Sequence, residues 1–145
     1  MNKGFTLIEL LVAISIIAVI SMIGLTTYQG TQGRARDSVR KTDLKNLAAA
    51  LEIYYQDNRQ FIGTPQPDGS CLTSVSEFYS QMASKMTGPV PIDPKTNQRY
   101  LYIGGKKCQS FRLFGKLENC NDAEIIPGAT CQATWNYSVV SDDLN

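Results

Sequence analysis

Glu9, in the stretch Lys3-Gly-Phe-Thr-Leu-Ile-Glu9, is the only charged side chain among the twenty-one residues from Phe5 to Leu25. At the centre of a lipid span a charge costs roughly 2.5–3.5 kcal/mol, so an acid there ordinarily has a partner or a task. Glu9 lies only four residues into the run, where water still reaches it, and no basic side chain falls within a helical turn. A cut between Gly4 and Phe5 changes that. It creates an α-ammonium group four residues from Glu9, a cation able to answer the carboxylate on its own chain or on a neighbour's.

The other reactive groups are four cysteines, at 71, 108, 120 and 131, in a chain without histidine. None forms a Cys-x-x-Cys pair, so zinc spacing is absent, and two disulfides in an oxidising compartment are expected. Cys120 and Cys131 would close a short loop and leave Cys71 with Cys108, although four cysteines allow three connectivities. Carboxylates group at Asp122 with Glu124 and at Asp142 with Asp143. Such clusters can take calcium, but loop acids are more often simply solvated, and no metal is expected. With no histidine for acid–base work, no Gly-rich phosphate loop ahead of a helix and no serine in a nucleophile context, neither an enzyme nor a cofactor is expected.

A nucleic-acid partner is not indicated. Arg34, Arg36, Arg40, Lys41 and Lys45 form a basic cluster, offset only by Asp37 and Asp43. From Arg59 onward eight basic residues meet eight acidic ones, which leaves no net field for phosphates. Lys106-Lys107 reads as a solvated turn.

These groups must be carried by a chain of 145 residues, one domain's worth, with 43% hydrophobic content. The run from Phe5 to Leu25, as a helix, is roughly 31 Å long and matches a hydrocarbon core. It is too long for a signal-peptide core and no Ala-x-Ala follows it. Charge counting alone would put the carboxyl side in the cytoplasm, whereas the cysteines argue for the opposite face. The helical pattern continues through Val39, Leu44, Leu47, Ala48, Leu51 and Tyr55, which predicts one helix over residues 5–57, about 80 Å long, apolar first and amphipathic after. Gly24, Gly30 and Gly33 weaken its middle. Arg59 to Pro67 reads as a loop, and Ser74-Val-Ser-Glu77 fits a capping box opening a helix to about Lys85. The proline-rich Thr87 to Pro94 excludes helix. Three β-like runs come next, Arg99–Ile103, Ser110–Leu117 and Thr134–Val140, with Gly104-Gly105 as a hairpin turn between the first two.

Met-Asn-Lys-Gly4 ahead of Phe5-Thr-Leu-Ile-Glu9 and an apolar helix resembles the class III leader of type IV pilins and their pseudopilin relatives. Val90-Pro-Ile-Asp-Pro94, followed by Asn97 and Tyr100, is similar to the Asp-Pro segment common in that family. The resemblance implies an α+β fold, a long N-terminal helix packed on a small antiparallel sheet. It implies a leader of residues 1–4, a transmembrane helix half over 5–25, an amphipathic half over 26–57 and a disulfide-bonded head over 58–145. A prepilin peptidase would cut between Gly4 and Phe5 and methylate Phe5, and Glu9 would pair with the terminal amine of an adjacent subunit during assembly. The N-terminus would lie inside the cytoplasmic membrane and the head outside, reversing the charge count; after assembly the subunit would be in an extracellular or cell-surface filament. Partners would be copies of itself, other pilins and an inner-membrane assembly platform. The implied function is that of a pilus subunit, with a type II secretion pseudopilin, or an uptake or adhesion pilin whose head binds DNA or surfaces, as the alternatives. Many type IV pilins carry a proline in the part of the helix that can unwind in the filament; this chain has none between residues 5 and 57.

Overall fold

The computed structural model describes residues 4–130 and 132–141, the side chains of 23–27 and 29 excepted. The elements are α1 (Leu7–Asn58), β1 (Thr64–Pro65), β2 (Cys71–Leu72), α2 (Val75–Lys85), β3 (Leu101–Gly104), β4 (Phe111–Gly115) and β5 (Tyr137–Val140). This is the expected α+β, pilin-like arrangement. Packing divides the chain into two compact units, Met1–Ala35 and Arg36–Asn145.

In the first unit, residues 4–6 are irregular and lead into the first part of α1. Its apolar side chains are exposed on every side, with Leu7 at 81% and Ile17 at 62%. Ser15 and Ser21 donate their hydroxyls to the helix's own carbonyls, Val12 O at 2.8 Å and Ile17 O at 2.7 Å, so neither leaves a polar group unanswered in the apolar run. Among the described residues no helix is long and apolar enough to cross a membrane. The apolar stretch whose side chains are described ends at residue 22, short of the ~20 residues a span requires; the remainder of the expected 5–25 span, with Gly24, lies outside the described side chains.

In the second unit the rest of α1 buries Asp37, Arg40, Leu44, Leu47 and Leu51. These positions recur every three or four residues, as one face of a helix must. Val39, expected on that face, is 47% exposed, because the face runs on through an ion pair rather than through an aliphatic residue. Opposite it, α2 contributes Phe78, Tyr79 and Met82. The sheet contributes Tyr102, Phe111, Leu113 and Tyr137. Phe78 stacks on Tyr102 at 4.4 Å between centroids, and Phe61 meets Phe111 edge-on at 4.9 Å. Ser74 caps α2 by accepting from the Glu77 amide at 3.1 Å, as its sequence predicts.

β3, β4 and β5 form an antiparallel sheet in sequence order, with Tyr102 opposite Leu113 and Leu113 opposite Val139. Burial alternates along β4, inward at Phe111, Leu113 and Gly115, as period-2 side-chain geometry demands. The strands are shorter than the sequence suggests, and Gly104-Gly105 is not the hairpin turn. Gly104 pairs with Phe111 inside the ladder, and the connection runs from Gly105 to Ser110, closed by Gly105 N–H donating to Ser110 O at 2.7 Å. Lys106 to Cys108 form a 3-10 turn there, with Lys107 and Cys108 in the left-handed region.

The expected loop at 59–67 holds a short strand, β1, paired antiparallel with β2. Two residues including Pro65 carry no periodic signal; what fixes the pair is the Cys71–Cys108 disulfide, with Cα atoms 5.1 Å apart, and Phe61 N–H donating to Cys108 O at 2.8 Å. Gly63 is required there: at φ +136° a Cβ would run into Thr73 Oγ1 and lie 2.9 Å from Leu72 O. Cys120 is also disulfide-bonded; Cys131, its expected partner, lies outside the described residues.

Candidate functional site

The residues around Glu9 form a closed local arrangement. Gly4 and Phe5 precede α1, and Phe5 is 89% exposed. Nothing lies within 4 Å of the position a Gly4 Cβ would take. The Gly4–Phe5 bond therefore lies in irregular chain that an extended protease cleft can take without unwinding a helix. Thr6 is the cap of α1. Its amide and its hydroxyl both donate to Glu9 Oε2, at 2.9 and 2.6 Å, and the Glu9 amide donates back to Thr6 Oγ1 at 3.3 Å. Thr6-Leu-Ile-Glu9 is thus a reciprocal capping box, which satisfies otherwise orphaned amide groups at the helix start and sets an acid against the positive end of its dipole. A carboxylate offers about four acceptor sites on two oxygens, and both Thr6 bonds use Oε2. Glu9 is therefore fixed in place and still able to accept a further donor.

In the second unit the charged residues gather around Arg40, which is 2% exposed. Its guanidinium donates to both oxygens of Asp93, at 2.7 and 3.1 Å, and to Asp37 and Glu118, each at 2.8 Å. Arg36 makes a two-pronged bond to Glu118, both contacts 2.8 Å, and Lys95 adds a third cation at 2.9 Å. Asp37 in turn accepts the amides of Glu118 and Asn119. Burial alone would raise the Asp93 carboxyl, but Arg40 with the Thr96 and Lys95 amides outweighs it and holds the group at about 2. Glu118 is held well below the usual carboxylate range, chiefly by Arg36 against the opposing effect of burial, with Lys95 and Arg40 adding to it. The network fastens α1 to the Asp93 turn and to the segment after β4.

Comparison with known proteins bears on the N-terminal segment. Residues 1–25 match the family described as prokaryotic N-terminal methylation motif. The chain is 33% identical over 60 residues to the type IV major pilin protein PilA of Myxococcus xanthus, covering 41% of this chain and 27% of that protein. It is 35% identical over 65 residues to the type II secretion system core protein G of Pseudomonas aeruginosa, 45% of this chain and 46% of that one. The chain is thus similar to type IV pilins and to a type II secretion core protein, and its first 25 residues carry their methylation motif. A fimbrial protein of Neisseria meningitidis serogroup B is 27% identical over 120 residues, 82% of this chain and 69% of that protein. The match thus spans about a quarter of the Myxococcus pilin and under half of the Pseudomonas protein. No solved structure matches the chain.

The placing of the other expected residues is informative. Lys41 lies 2.7 Å from Asp122 and 3.4 Å from Glu124, so these acids answer a lysine. Lys41 is the main cause of the lowered Asp122 carboxyl. Asp142 and Asp143 lie outside the described residues, among which no group of three or more metal-binding side chains occurs. The basic cluster on α1 is not an open footprint for phosphate, since Arg36, Arg40 and Lys41 are all paired with carboxylates. Sequence reasoning misses the Thr6–Glu9 box, although it has the Ser/Thr-x-x-Glu spacing recognised at Ser74. The buried Arg40 leaves no apolar signal at all.

Proposed function

We propose that this chain is the precursor of a structural subunit of a type IV pilus-like filament. Residues 1–4 act as its leader, 5–25 as the membrane-stored half of the stem, 26–57 as the amphipathic half and 58–145 as the exposed head. A prepilin peptidase cuts between Gly4 and Phe5 and methylates Phe5. The new amine of one subunit then binds Glu9 of its neighbour, and the apolar side chains of α1 leave lipid for contact with other stems at an inner-membrane assembly platform. The subunit starts in the cytoplasmic membrane with its N-terminus inside and ends in an extracellular filament.

The observation that carries this reading is the sequence of features from residue 4 to residue 22. An exposed, irregular Gly4–Phe5 bond is followed by a capped acid with acceptor capacity to spare, then by apolar side chains uncovered on every side. Uncovered apolar surface of that extent needs lipid or protein around it. Glu9→Leu tests the role of the acid. The variant should be cut and held in the membrane like the native chain, yet be absent from sheared cell-surface fibres. Equal incorporation would refute the assembly role.

The 35% identity to core protein G over 65 residues favours a second reading, a pseudopilin of a type II secretion filament. Loss of secreted enzymes from the medium on deletion, without loss of surface fibres, would select it.

A further inference from the structure

We propose that the cleft between the Asp93 turn and the end of β4 is a binding site for an acidic saccharide, a sugar chain bearing carboxylates. The cleft has a volume of about 600 Å³ and is lined by residues of three segments, 93–100, 116–118 and 132–135, with Arg40 at its base. That size falls within the range of small-ligand pockets, about 300–1,000 Å³, and far exceeds a single ion.

Charge accounting identifies the ligand's sign. Arg40, Asp93, Glu118 and Lys95 line the cleft but are engaged with one another in the buried network. Arg99 and Lys116 are left, both exposed, and among the described residues neither makes an ion pair. The Arg99 guanidinium lies over the Tyr79 ring at 4.7 Å. That contact holds the group over the ring while, among the described residues, its N–H groups make no hydrogen bond, and a planar two-pronged acceptor such as a carboxylate suits them.

The remaining lining identifies the body of the ligand. Trp135 is half-buried in the wall, and its π face attracts the weakly positive C–H face of a sugar ring. Gln98, Gln132 and Thr134 supply both donors and acceptors, as hydroxyl-rich ligands need. A single-stranded nucleic acid would require a track of free cations and successive aromatic platforms, against the two cations and one indole found here.

The site is also built rigidly. The buried Asn136 side chain accepts from the Leu117 amide at 2.7 Å and donates to Leu117 O at 3.0 Å, which holds the neighbours Lys116 and Trp135 in register. On the opposite side Asp93 accepts the Lys95 and Thr96 amides, each at 2.9 Å, and Asp93 N–H donates to Gln98 O at 2.9 Å.

Trp135 is the only tryptophan, so its fluorescence in the full chain reports on the cleft directly. The chain, held in a polyoxyethylene detergent rather than an alkyl glycoside, is titrated with hexagalacturonate, maltohexaose, inorganic phosphate and a dT hexamer. Hexagalacturonate should change the emission saturably, binding at least tenfold tighter than each of the others. Arg99→Gln with Lys116→Gln should weaken it at least tenfold. The site assignment fails if hexagalacturonate gives no saturable change, if maltohexaose, phosphate or the dT hexamer binds as tightly, or if a folded double variant binds like the native chain. The comparison of acidic with neutral sugar decides the matter on native protein should that variant not fold.

Discussion

Replacing Arg40 with Met removes the one cation that Asp37, Asp93 and Glu118 share. The methionine fills much of the same space, so packing loss is small and the electrostatic effect dominates. Breaking a buried ion pair from one side costs about 3–5 kcal/mol, because Asp37 and Asp93 stay behind as uncompensated charge, while Glu118 keeps Arg36 and Lys95. For a domain of the second unit's size, about 4 kcal/mol lowers the melting temperature by roughly 15–25 °C. The pH dependence gives an internal check. Asp93 is depressed in the folded state, from 3.8 to about 2, so its contribution is present above pH 3.8 and is lost as pH falls through 2. That depression corresponds to roughly 2–2.5 kcal/mol at neutral pH, about half of the expected effect. The gap between native and Arg40→Met proteins should therefore be widest near pH 7 and narrow progressively below pH 4. Adding Asp93→Asn to Arg40→Met should recover part of the loss, since it removes one stranded charge. The assay is thermal unfolding of the full chain in micelles at several pH values, followed by Trp135 emission. A loss below 1 kcal/mol at pH 7, or a gap that does not depend on pH, would mean that Arg40 does not hold these carboxylates as described.

Thr6→Val deletes the hydroxyl of the N-terminal box and should cost about 1 kcal/mol locally. Amide exchange at Leu10, whose N–H donates to Thr6 O at 3.3 Å, should quicken while the head's melting stays unchanged, and Thr6→Ser should restore it. Replacing Cys71 and Cys108 together by Ser opens a link spanning 37 residues. Unfolding measurements should show a loss of about 2–4 kcal/mol, and reductant should have less effect on the variant than on the native protein.

The fold is legible in the sequence where apolar residues keep a period. Leu44, Leu47 and Leu51 mark the buried face of α1, and the alternation through Phe111, Leu113 and Gly115 marks β4. It is not legible where a polar group does the work of an apolar one. Asp37 and Arg40 occupy helix positions that hydrophobic periodicity reads as surface, and only the long-range partners Asp93 and Glu118 make their burial tolerable. β1 and β2 are too short to carry a pattern and depend on a disulfide to a distant turn. Glu9 is conspicuous as a lone charge, yet its box with Thr6 is easily passed over, because the apolar run hides a helix start that the same spacing announces at Ser74. The cleft lined by Arg99, Lys116 and Trp135 assembles three segments that no local motif connects.

The proposed function requires Gly4–Phe5 to be a processing bond and the apolar helix beyond it to be an assembly stem. Expressing the full chain with and without a prepilin peptidase, then determining the N-terminus and mass of the product, tests this most directly. With that processing, the product begins at an N-methylated Phe5 only when the peptidase is present. A chain that still begins at Met1, or one cut beyond the apolar run, would contradict it.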